Sequence, residues 1–154
     1  MSYTEQLQKI ANDYIKEHDE PATTHDMAAW AIAVGVWKPQ PGSMINKCAQ
    51  ELARAMREEY FKDAQGRSVR AKHAARVRKN GKQMTLWADM RHTDRSHMET
   101  SLQQRRQQIL GDCKQLKIDA DSYNENHCAG TPIQMIFDFT LDLAELEAVE
   151  AIPV

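Results

Sequence analysis

A chain of 154 residues is long enough for one ordinary domain with an appendage and too short for two full domains. With 42% hydrophobic and 27% charged residues its composition is globular, which excludes a wholly disordered chain. The formal charge of -2 hides an asymmetry: from Ile118 onward there are eight acids and no Lys or Arg, whereas between Lys62 and Lys82 eight Lys or Arg face the single Asp63. Such a basic cluster is a footprint for phosphate. No apolar run reaches the length of a bilayer crossing, and the first residues lack the basic and apolar regions of a signal peptide, so a cytoplasmic protein is expected.

Ser2 and Glu5 stand at capping-box spacing before Leu7, Ile10, Ala11, Tyr14 and Ile15, which predicts an amphipathic helix ending near His18. Thr23 with Asp26 opens a second helix through Met27, Trp30, Ala31 and Val34, closed by Gly35. The linker 36–42 contains two prolines, and Ser43 caps a third helix to about Glu58, with Ile45, Cys48, Leu52, Ala55 and Met56 on its inner face.

The period then falls from 3.6 to 2. Val69, Ala71, His73, Ala75 and Val77 form one face of a strand; Arg70, Lys72, Ala74, Arg76 and Arg78 form the other. Asn80-Gly81 favours a type I′ hairpin turn, and Gln83 to Asp89 supplies the returning strand. A short strand at Tyr60-Phe61, turned by residues 63–66, completes an expected three-stranded sheet. A long helix follows, capped at Thr93 or Ser96 and running to about Asn124, roughly 45 Å at 1.5 Å per residue. Alternation of Ile133, Met135, Phe137, Phe139, Leu141 and Leu143 with mostly polar neighbours predicts a last strand before an acidic tail.

Three helices followed by a basic hairpin is the order of a winged helix-turn-helix domain, and residues 3–90 resemble that family in pattern. The resemblance is carried by Thr23-Thr24-His25-Asp26-Met27-Ala28, Gly35, the helix from Ser43 and the hairpin at Asn80-Gly81. It implies a winged helix-turn-helix domain over residues 1–90, to which the periodicity adds a long helix over 91–126 for dimerisation or bracing and a C-terminal strand with an acidic tail over 127–154, an α+β, mainly α, architecture. The resemblance also implies that the third helix is a recognition helix whose solvent side carries Asn46, Lys47, Gln50, Arg54 and Arg57, residue types suited to base edges and phosphate. Arg67, Arg70, Lys72, Arg76, Arg78, Lys79 and Lys82 then form the phosphate-contacting wing.

The expected function is therefore that of a non-enzymatic DNA-binding protein, a regulator or an architectural factor, with a protein-protein adaptor on the same scaffold as the alternative. Double-stranded DNA is the favoured partner over RNA or an acidic protein surface, because no aromatic row interrupts the basic strand. Met98, Leu102, Ile109, Cys113, Leu116 and Tyr123 recur at helical spacing and predict a homodimer seam, broken at Arg105 and weakened at Gly111.

Catalytic residues, cofactors and a metal are not expected: the glycines are isolated, and His92, His97, Cys113, His127 and Cys128 fit no zinc spacing. His73 falls on the packed strand face, so a core role is expected rather than general-base chemistry. Asp138 and Asp142, flanking Thr140, are taken as solvent-facing alternation. Gln83-Met84-Thr85-Leu86-Trp87 resembles peptides that dock on sliding clamps, but the same residues make a good hairpin strand.

Overall fold

The structure, a computed structural model, describes residues 1–18, 20–40 and 42–150. Pro41 of the linker and residues 151–154 of the acidic tail lie outside the described residues. The architecture is α+β and mainly helical, with five helices and two small antiparallel hairpins among the described residues. The chain divides into two compact units, Met1–Ala55 and a second beginning at Met56. No described helix is long and apolar enough to cross a membrane.

In the first unit, helix α1 (Tyr3–His18) starts on the expected box: the Glu5 amide donates to Ser2 Oγ at 3.1 Å and the Ser2 nitrogen donates to Glu5 Oε2 at 2.7 Å. Helix α2 (Thr24–Ala33) is capped by Thr23, whose hydroxyl accepts from the Asp26 amide at 3.0 Å. It ends as a glycine C-terminus does. Gly35 has φ +80, its amide donates to the Ile32 carbonyl, and the Val36 amide reaches the Ala31 carbonyl. Tyr14, packed edge-on against Trp30 at 5.6 Å, and Ala31 are the buried apolar residues among the described residues of this unit.

Helix α3 (Ser43–Arg57) keeps its expected bounds, but the expected inner face is not buried. Ile45 is 79% and Leu52 58% exposed, and Cys48 and Ala55 are exposed as well; Met56, the first residue of the second unit, is half-buried. The apolar stripe is present at its 3.6-residue period; whether a stripe is covered depends on a complementary surface, which local pattern does not encode.

In the second unit the expected three-stranded sheet is replaced by two hairpins. Strands β1 (Tyr60–Lys62) and β2 (Ser68–Arg70) pair with Phe61 opposite Val69. Strands β3 (Lys72–Lys79) and β4 (Lys82–Asp89) pair with Ala75 opposite Leu86. The break falls at Ala71. Its side chain is fully buried, its amide donates to the Glu59 carbonyl at 3.0 Å, and its carbonyl accepts from Met90 at 2.9 Å, so a bend at this residue hands one extended segment from β1 to β4. Asn80 (φ 52) and Gly81 (φ 74) form the expected turn with both residues left-handed.

Helix α4 (Arg95–Asn126) is capped by Asp94, whose carboxylate accepts from the His97 amide at 2.9 Å, rather than by Thr93 or Ser96. The expected strand over 133–143 is not formed. Residues 131–139 pair with no strand, and Thr140–Glu150 is helix α5. Asp138 explains the change. Its Oδ1 accepts from the Thr140 amide at 3.1 Å and from the Thr140 hydroxyl at 2.8 Å, which starts a helix in a segment rich in Leu, Ala and Glu. A helix satisfies its own backbone groups, whereas alternation yields a strand only beside a ladder partner.

Candidate functional site

The alternation of β3 sets up the site. His73 and Ala75 are buried on one face, as expected for His73. Lys72, Ala74 and Arg76 stand on the other face beside Thr85 and Trp87 of β4, because Ala74 lies opposite Trp87 and Arg76 opposite Thr85. Helix α4 closes one side. Together these elements bound an open groove of about 510 Å3, walled on the helix side by Ser101, Gln104, Arg105, Gln108, Ile109 and Asp112.

Helix α4 docks on the outer edge of β3 with polar residues. The Arg76 amide donates to Gln104 Oε1 at 2.7 Å and Gln104 Nε2 donates to the Arg76 carbonyl at 2.9 Å, so one side-chain amide makes the pair that a neighbouring strand would make. Two turns earlier, His97 Nε2 donates to the His73 carbonyl at 2.8 Å. Ser101, between them on the same helix face, is 4% exposed. At 3.6 residues per turn the Met98-Leu102-Ile109-Cys113-Leu116-Tyr123 stripe lies roughly 100° away. Leu102, Ile109, Leu116 and Tyr123 are exposed, while Met98 and Cys113 are half-buried.

The electrostatics of the groove are one-sided. Arg57, Arg70, Lys72, Arg76 and Arg105 line it and Asp112 is its only acidic lining residue. Lys72 is the compensated member, at 3.0 Å from Glu59 and 3.1 Å from Asp89. Those bonds raise its pKa, Glu59 contributing most. Asp89 also accepts from the Arg91 amide at 2.9 Å and from both arms of the Arg91 guanidinium, chiefly for which reason its carboxyl is held far below the usual range. The Arg91 guanidinium in turn covers the Phe61 ring at 4.4 Å, joining the two hairpins at their base. By contrast, Arg57, Arg70, Arg76 and Arg105 form no ion pair among the described residues. Arg57 stands over the Trp87 ring at 5.7 Å from its centroid.

Of the wing residues expected from sequence, Arg70, Lys72 and Arg76 meet in this groove. Arg78, Lys79 and Lys82 lie exposed at the hairpin tip, and Arg67 is held at 2.8 Å by Asp63 in the β1–β2 turn. Asn46, Lys47, Gln50 and Arg54 are exposed on α3 in the first unit. The chain matches no protein-family model, no curated protein and no solved structure. Two groove residues escaped sequence reasoning. Arg105 stood out only as a flaw in an apolar seam, and Trp87 only as part of a docking pentapeptide. The β4 alternation, counted back from the Asn80-Gly81 turn, places Trp87 on the cationic face.

Proposed function

We propose that the protein is a non-enzymatic DNA-binding protein, a regulator or an architectural factor. In this reading residues 1–90 are a winged helix-turn-helix module in which α3 is the recognition helix and the β3–β4 hairpin the basic wing. The observation that carries it is the set of uncompensated arginines, Arg57, Arg70, Arg76 and Arg105, gathered on one groove. Like charges held together repel, and an anionic polymer that runs past all of them relieves that repulsion while releasing its counterions. The exposed Asn46, Gln50 and Arg54 supply donors and acceptors that match adenine and guanine edges.

Titration of a duplex over a range of salt concentrations tests this. Binding weakens steeply with salt, and Arg76→Ala lowers the slope by about one unit on every sequence. Affinity that is absent at low salt, or that does not respond to salt, overturns the reading. The second reading, a protein-protein adaptor, is favoured by the apolar side chains left open on α4, Leu102 at 50% and Ile109 at 56% exposure. Within the DNA-binding reading the same stripe joins two copies, as paired half-sites require. Light scattering then gives about twice the 17.6 kDa chain mass.

A further inference from the structure

We propose that the groove between the β3–β4 face and α4 holds an unpaired base of a DNA strand, stacked on Trp87. This deepens the DNA-binding reading and rests on it. A duplex presents phosphates on its outside and keeps its base faces inside, so an aromatic ring inside a phosphate-attracting groove finds no partner in intact duplex.

Trp87 is half-buried on the groove floor. Its cross-strand neighbour is Ala74, too small to cover an indole, and Arg76 is paired with the equally modest Thr85. Above the ring the Arg57 guanidinium stands 5.7 Å from the centroid, about 2 Å beyond contact stacking distance. It therefore caps the ring loosely and lies close enough to meet a phosphate once a base takes the ring face. The volume of about 510 Å3 is in the range that encloses a drug-sized molecule, which suits the entry of one or two unpaired nucleotides. Arg76 on the strand side and Arg105 on the helix side bracket the floor with charge, and Gln108 brings an amide to the same wall. Aromatic floor, cationic rims and an amide are the components with which proteins hold single strands.

The test compares the full chain on a blunt duplex, on the same duplex interrupted by a short single-stranded gap, and on the gapped duplex with 2-aminopurine in the gap. The gapped probe binds more tightly than the blunt one, and 2-aminopurine fluorescence is quenched on binding. Trp87→Leu lowers affinity for the gapped probe by about 5- to 100-fold, the loss of one base-aromatic stack, and so removes the preference for the gapped over the blunt probe. Trp87→Phe restores most of the gap preference, which a merely structural role for the indole does not account for. If Trp87→Leu fails to fold, the parent's quenching and the Phe variant decide. Equal binding of gapped and blunt probes by the parent, or an unquenched 2-aminopurine, overturns the base site while leaving duplex binding standing. Absence of salt-dependent binding to any probe overturns both.

Discussion

The two units each carry a hollow, and the hollows are built on opposite physics. In the first unit, α1 and α2 enclose about 280 Å3 lined by Leu7, Ile10, Met27, Ile32 and Trp37, with the Trp37 indole N–H donating to the Tyr3 hydroxyl at 2.8 Å. In the second, about 510 Å3 is lined by arginines, amides and one tryptophan. An apolar hollow gains free energy from whatever removes its surface from water and releases no counterions when it is filled. A cationic groove gains from displaced counterions and loses that gain as salt rises. Charge and burial are therefore separable by substitution.

The largest expected effect is on the charged hollow. Arg76→Glu combined with Arg105→Glu replaces two attractions by two repulsions and lowers DNA affinity by more than about 100-fold near physiological salt, with the melting transition of the protein little changed. Filter binding beside a thermal melt reads both. Should affinity survive, the groove is not the phosphate site and the contrast between the hollows dissolves. Trp37→Ala is the reciprocal change. It removes an aromatic wall and the bond to Tyr3 and lowers stability by about 2 kcal/mol in a denaturant titration, without altering the salt slope of DNA binding.

The smallest effect concerns the hairpin base. The Arg91 and Lys72 bonds depress the Asp89 pKa, so the ionised carboxylate stabilises the fold above the unfolded value of about 4, and that stabilisation is lost as pH falls below it. Asp89→Asn therefore melts below the parent at pH 7, and the gap narrows as both are taken from pH 5 to pH 3. A gap that stays constant through that window removes Asp89 as the charge that joins the two hairpins. Asp63 and Asp138 are depressed too, so the parent alone also loses stability over the same range; the difference isolates Asp89.

Helices α1 to α4 and the β3–β4 turn were legible because their signals are local: a capping box, a C-terminal glycine, a 3.6-residue period and an Asn-Gly pair. What was not legible depends on partners distant in sequence. The alternation from Ile133 to Leu143 is as regular as that of β3, yet Asp138 starts a helix within it because no strand edge pairs with it. Sequence logic also pairs apolar faces first, whereas α4 meets β3 through His97 and Gln104, with Ser101 buried between them on the helix. An open strand edge offers amides and carbonyls, and only polar side chains can satisfy them. That choice turns Arg105 from a defect in a seam into a wall of the groove. The basic face itself was visible from Arg70, Lys72 and Arg76, while Trp87 became meaningful once register set it among them.

Gln104 has a kinetic meaning as well. The Arg76 amide proton is shielded by a side chain carried on another element rather than by a ladder partner, so it can exchange with solvent when α4 lifts away even while β3 and β4 stay paired. Exchange at Arg76 then measures helix undocking, and exchange at amides bonded between β3 and β4 measures unzipping of the hairpin. One labelled proton becomes a gauge of how often the groove loses its helical wall, and a ligand that bridges strand and helix slows that proton more than the hairpin protons beside it.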